Sequence, residues 1–253
     1  MTIPQLRAPI ILVHGLFGFD RFRVGKLLSF DYFRGIPAAL ERAGNRVHVA
    51  RLSPIGGVAR RAEQLRAFLD QHAADTPVHL IAHSMGGLDS RYLITRLGMA
   101  DRVLTLTTLG SPHRGCAFAD FALNHFVPYL APLFTACGLT PDAFADLSTD
   151  RCAAFNRDTP DAPGVRYFSV AGRYDGCWLN PSWHLTAPIV ERAEGPNDGI
   201  VSIASATWGE SCEVWECDHL NLVNWPQPGL PAERNDRLPS YATLLGRLRA
   251  EGY

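Results

Sequence analysis

The chain has no C-x-x-C pair. Its six cysteines, Cys116, Cys137, Cys152, Cys177, Cys212 and Cys217, stand singly, which argues against a zinc site or a dithiol redox motif and leaves isolated buried thiols as the expectation. The chain also lacks a charge excess. With 24 Lys and Arg against 25 Asp and Glu, its formal net charge is -1, so there is no basic field to hold a phosphate backbone and nucleic-acid binding is set aside. Long apolar runs are missing as well. The opening residues, MTIPQLR, are not a basic segment leading into an apolar stretch, and Ile10 to Val13 is too short for a signal or a membrane span. The chain reads as cytoplasmic, or as secreted if a leader has been removed. Repeats and low-complexity linkers are absent too. What 253 residues with 47% hydrophobic content do provide is one sizeable core, and hence a single domain over residues 1–253.

Short β-rich apolar runs recur at Pro9–Val13, Arg46–Ala50, Val78–Ala82, Val103–Leu109, Val165–Ala171 and Glu213–Cys217. Between the early ones, Phe33–Ala43, Val58–His72 and Gly87–Leu97 have helical apolar spacing. Strands alternating with helices predict an α/β fold, a mostly parallel sheet of about six strands covered on both faces. The alternation stops between residues 112 and 163, where Phe, Ala and Leu dominate and prolines stand at 128, 132 and 141. That stretch predicts helices over the sheet edge, a lid-like insertion. Leu244, Leu245 and Leu248 predict a closing amphipathic helix over Leu238–Glu251.

"LIAHSMGGLD", residues 80–89, sets a serine between a strand and a helix. This is the context of a nucleophile elbow, a turn so tight that small residues must flank the serine. Ala82 and Gly86 fill those positions. Serine is a weak nucleophile at neutral pH and needs a base, which in turn needs an orienting carboxylate. In the order nucleophile, acid, histidine, His219 in "ECDHLNL" is the candidate base, placed just past the last predicted strand, whereas His184 has no such placement. Asp198 in "GPNDGIVS" and Asp175 in "AGRYDGC" both qualify as the acid on residue type and order. Asp218 adjoins His219 and reads as a solvated loop charge. For the oxyanion, one N–H falls to Met85 at the helix start. The other falls to Leu16 in "VHGLFGFD", where His14 and Gly15 bring the chain in closely and His14 braces the loop.

These motifs resemble the bacterial true lipases of the Pseudomonas and Burkholderia type, within the α/β-hydrolase superfamily. "VHGLFGFD", "RRAEQL", "AHSMGG", "GSPHRG", "CAAFNRDTP", "LNPS", "NDGIVS" and "DHLNLVN" follow that family's order across most of the chain. The resemblance implies an α/β-hydrolase fold, Asp198 rather than Asp175 as the acid, Leu16 as an oxyanion donor, and Arg61 as a support of the oxyanion loop. Three departures accompany it. The family's structural Ca²⁺ is held by two Asp carboxylates where this chain has Asn180 and Asn221, and removing both charges predicts no tight calcium site and no metal cofactor. No cysteine stands at Ala204, where the second partner of the family's disulfide belongs. The secretion leader is missing. Together these imply an intracellular or foldase-independent relative.

The expected activity is that of a serine carboxylester hydrolase acting on acylglycerols or aliphatic polyesters through an acyl-enzyme, with ester or lipid as its partner and transient contact with a lipid interface through the lid surface. An acyltransferase or thioesterase would use the same triad. A non-catalytic lipid-binding protein of this fold usually loses part of the triad, and here Ser84, Asp198 and His219 are all present.

Overall fold

Ile10–Val13 and Val78–His83 are buried along their whole length, and a strand of that kind is stable only where helices cover both faces of its sheet. The computed structural model describes residues 2–18, 21–24, 28–74, 76–125 and 142–253, and in it such a sheet forms. Six parallel strands, β1 (Ile10–Val13), β4 (Val47–Val49), β5 (Val78–His83), β6 (Val103–Leu109), β7 (Arg166–Gly172) and β8 (Ser211–Trp215), lie in the order β4-β1-β5-β6-β7-β8. The register aligns Val13 with Ala82, His83 with Leu109, Leu109 with Val170, and Gly172 with Trp215. The carboxyl ends of five strands therefore form one rim, the place where open α/β sheets bind their ligands.

The period-two alternation of a strand sorts the core into two layers. Ile10, Leu12 and Ile81 face the layer containing α1 (Ile36–Arg42) and the closing helix Leu238–Ala250, with Phe33, Leu40, Tyr241 and Leu245 buried between. Ile11, Val13, Leu80 and Ala82 face α2 (Val58–His72) and α3 (Met85–Thr95), packing on Leu65, Leu69 and Leu93. Two antiparallel strands, β2 (Arg21–Val24) and β3 (Leu28–Asp31), which the sequence reading does not predict, pair outside this sheet. Four residues each are too few for a period-two signal to stand out.

Several element boundaries differ from their expected places by one to three residues, α1 starting at Ile36 instead of Phe33 for example. Helix α3 begins at Met85, where the elbow reading sets the helix start and two residues before the apolar spacing begins at Gly87, because the chain turns directly from strand to helix at Ser84. The strand expected at Glu213–Cys217 runs instead over Ser211–Trp215, and Cys217 and His219 belong to the inward loop that follows. Within the expected insertion, the chain forms α4 (Ala117–His125) and helices at Asp142–Asp146 and Thr149–Asp158. Ala119 of α4 packs on Val190 of the helix Thr186–Glu194. The centre of that insertion, residues 126–141 with Cys137, lies outside the described residues. The thiols are only partly as expected: Cys116, Cys152 and Cys217 are buried, but Cys177 and Cys212 are half-buried. Among the described residues no helix is long and apolar enough to cross a membrane.

Candidate active site

Ser84 follows the last residue of β5 and precedes the first of α3, with φ 56° and ψ -131°. A β-carbon in that region is strained, and the sheet on one side and the helix on the other hold it there. The turn is possible only without side chains nearby. A Cβ at Gly86 would lie 2.8 Å from the Val13 carbonyl oxygen and 2.9 Å from that of His14, which is why a poor helix former stands in the first turn of α3. On the other side, a Cβ at Gly15 would lie 3.2 Å from Ser84 Oγ, so the loop after β1 presses its bare backbone against the hydroxyl.

Asp198 and His219 come together at the rim. His219 Nδ1 stands 2.7 Å from Asp198 Oδ2, and the two backbones are joined by a 2.7 Å bond from His219 N–H to the Asp198 carbonyl. Asp198 is wholly buried and His219 is nearly so. The other carboxylate oxygen, Oδ1, accepts the N–H groups of Ile200 at 3.1 Å and Val201 at 2.8 Å. A carboxylate only accepts, so Nδ1 carries the ring proton, and in the neutral ring the free lone pair stands on Nε2. This pair lies beside the elbow. Ser84 N–H bonds Leu109 O at 2.9 Å, and a Cβ on the next residue, Gly110, would touch both Asp198 Oδ2 and His219 Nδ1. The ring of His83 lies 4.4 Å from that of His219. Among the described residues the Ser84 hydroxyl itself makes no hydrogen bond; contacts of this kind often tighten only when substrate is bound.

The N–H groups of Leu16, which follows Gly15, and of Met85, which follows Ser84, find no acceptor among the described residues. Arg61 holds the Leu16 loop. It is fully buried, donates to the His14 carbonyl at 2.6 Å and the Ser53 carbonyl at 2.5 Å, and pairs with Asp89 at 2.8 Å. Burial pushes the Asp89 carboxyl up to about 7, against the pull of Arg61. His14 Nε2 accepts the Leu52 N–H at 3.2 Å, so its Nδ1 donates to Gly15 O at 2.9 Å, and the ring braces the loop.

The remaining candidates lie apart from the serine or play another part. The Asp175 side chain is 71% exposed and pairs with Arg173, and His184 is exposed, bonded to Cys177 O. Asp218, expected as a solvated charge, is buried. Its Oδ2 accepts from Asn180 Nδ2 at 2.7 Å and Trp183 Nε1 at 3.0 Å, and its Oδ1 from the Asn221 N–H at 2.8 Å. Adjacency to His219 argued against a catalytic partner but said nothing about burial. Residues that sequence reasoning missed are Asp89, which partners Arg61, and the pair Tyr32 and His83. His83 stood inside the elbow motif, while nothing local marked Tyr32.

The calcium-binding pattern that the resemblance brings to Asn180 and Asn221 does not fit the side chains present. Asn180 turns its amide N–H₂ toward Asp218, and the Asn221 oxygen accepts the Arg237 Nε at 2.6 Å. The nearly buried guanidinium of Arg237 also donates to the carbonyls of Glu216 and Arg234, so it ties together the loop that follows His219. Replacing Arg237 by methionine leaves the buried Asn221 oxygen open and takes a donor from two part-buried carbonyls, and is expected to cost about 2 kcal/mol. That corresponds to a melting temperature lower by about 4–8 °C, measured by circular dichroism, and added calcium is expected to restore none of it.

A family profile described as palmitoyl protein thioesterase matches residues 9–150. Triacylglycerol lipase 2 of Saccharomyces cerevisiae is 32% identical over 267 residues, covering 86% of this chain and 80% of that protein. The triacylglycerol lipase of Burkholderia plantarii is 30% identical over 322 residues, covering 99% of this chain and 88% of that one. Among solved structures, the mature form of a Bacillus licheniformis lipase superposes with a TM-score of 0.72 at 24% identity, over 96% of this chain and 92% of its own; at that identity the likeness speaks for the fold. On these grounds and on its six-stranded sheet, the chain belongs to the lipase and esterase family of α/β hydrolases and is a hydrolase of that kind.

Proposed function

We propose that the chain is an acylglycerol lipase of the Pseudomonas and Burkholderia type, with Ser84 as nucleophile, His219 as base and Asp198 as the acid that orients it. The observation that carries this reading is the buried 2.7 Å pair of His219 and Asp198 beside a serine held at φ 56°. Nε2 of His219 takes the Ser84 proton as Oγ attacks the ester carbonyl. The N–H groups of Leu16 and Met85 receive the developing oxyanion, and the departing alcohol takes the proton back from His219. Water then repeats the sequence on the acyl-enzyme.

Two apolar side chains are open to solvent close in sequence to the proposed site residues: Phe17, next to Leu16, is 60% exposed, and Leu220, next to His219, is 40% exposed. Apolar surface so placed suits an acyl chain or a lipid interface. In this reading no metal, foldase or nucleic acid takes part. Hydrolysis of p-nitrophenyl butyrate and palmitate, with palmitoyl thioester alongside and each with and without EDTA, tests it. The expected result is cleavage of both oxygen esters, with the palmitate rate within about ten-fold of the butyrate rate and no loss to EDTA beyond about two-fold. A rate confined to the short ester would make the enzyme an esterase, a thioester preference would turn it toward the thioesterases, and inactivation by EDTA would restore a metal.

A further inference from the structure

Two buried side chains join the oxyanion loop to the loop that carries the base. The Tyr32 hydroxyl stands 3.2 Å from the Gly15 N–H and 2.7 Å from His83 Nδ1. The opposite ring nitrogen, His83 Nε2, stands 2.9 Å from the His219 carbonyl oxygen. The end groups fix the directions. A carbonyl oxygen only accepts, so His83 Nε2 holds a proton and donates it. Burial, with the His219 ring nearby, keeps His83 well below the ordinary imidazole range, so the ring is neutral and Nδ1 accepts. Tyr32 therefore gives its O–H to Nδ1 while its oxygen receives the Gly15 N–H. Burial also pushes the Tyr32 hydroxyl up to about 12, so it stays a donor through the neutral range. The outcome is an uncharged chain of three hydrogen bonds whose proton order is set at one end by a carbonyl and at the other by an amide.

We propose that Tyr32 and His83 are positioning residues that hold the Gly15–Leu16 oxyanion loop and the His219 base in one fixed relation across Ser84. The proposal rests on the roles assigned above to Ser84, His219 and Leu16. Its physical basis is that attack needs the base and the oxyanion donors aligned at the same moment. The segments that supply them are remote in sequence, since His83 is 136 residues from His219 and Tyr32 is 17 from Gly15. Tyr32 and His83 are the shared buried link. Their chain ends on Gly15, which abuts Ser84 Oγ, and on the backbone of His219 itself. Misplacement of a reacting group by about 1 Å costs on the order of 100-fold in rate. Losing one link loosens the alignment and costs less.

The test compares Tyr32→Phe, His83→Gln and the double variant with the wild type. Phenylalanine keeps the ring contact of Tyr32 with Phe33 at 5.3 Å. Glutamine keeps an amide N–H to reach the His219 carbonyl but loses the ring acceptor facing Tyr32. The readouts are kcat and KM on p-nitrophenyl butyrate, the rate of Ser84 labelling by a p-nitrophenyl phosphonate, and the melting temperature, with rates normalised to titrated sites. Each single variant is expected to lower kcat and the labelling rate about ten-fold with KM steady. The double variant is expected to be no slower than the slower single, because cutting one chain twice costs no more than cutting it once. A merely structural role would lower the melting temperature and leave the rate per titrated site at the wild-type value. That result, or single effects that multiply in the double variant, overturns the proposal. Failure of the phosphonate to label Ser84 in the wild type overturns the triad assignment as well, so the two failures are told apart.

Discussion

Ser84→Ala is expected to lower kcat on p-nitrophenyl butyrate by about 10⁵-fold, leaving only what binding and the oxyanion donors supply. The substitution removes one oxygen and little else. Among the described residues that hydroxyl makes no hydrogen bond, so its loss opens no buried donor or acceptor. Alanine at φ 56° carries the same strain as serine there, because the strain comes from the β-carbon. The melting temperature is therefore expected to stay within about 2 °C of the wild type, a shift of no more than about 1 kcal/mol for a chain of this size. A drop in rate without a drop in stability separates a nucleophile from a serine that merely completes a tight turn. Activity retained in Ser84→Ala would move the chemistry elsewhere, and with it every role assigned around the rim.

The parts of the fold legible in the sequence are those dictated by local pattern. Apolar runs without a polar face announce a covered parallel sheet, and the small residues around Ser84 announce a turn too tight for side chains. Both signals are confined to a few adjacent residues. What was not legible depends on partners far apart in the chain. Asp218 looks like a loop charge until Asn180 and Trp183, 38 and 35 residues away, are seen to bury it. Tyr32 carries no local mark because its meaning comes from Gly15 and His83, 17 and 51 residues distant. Residue type and order also left the choice between Asp198 and Asp175 open, since both follow Ser84 and precede His219.

Asp198→Asn is expected to lower kcat by about 10⁴-fold, while Asp175→Asn leaves it within about two-fold of the wild type. The argument runs through the proton on His219. Asp198 Oδ1 receives two backbone N–H groups, from Ile200 and Val201, so an asparagine at this position must place its oxygen there and turn its N–H₂ toward His219. An N–H₂ group donates, and the His219 Nδ1 opposite it must then become an acceptor. The ring proton moves to Nε2, the nitrogen that should take the Ser84 proton, and the base is blocked in the wrong tautomer with its position unchanged. The backbone bond from His219 N–H to Asp198 O, at 2.7 Å, keeps the loop in place in the variant, so the loss belongs to tautomer and charge, not to a displaced ring. The 71% exposed side chain of Asp175, paired with Arg173, has no such hold on the imidazole. Kinetics of the two variants, with KM and melting temperature measured beside kcat, decide the matter: a large loss in Asp175→Asn and a small one in Asp198→Asn would reassign the acid and show that the buried 2.7 Å pair serves the loop instead of the base.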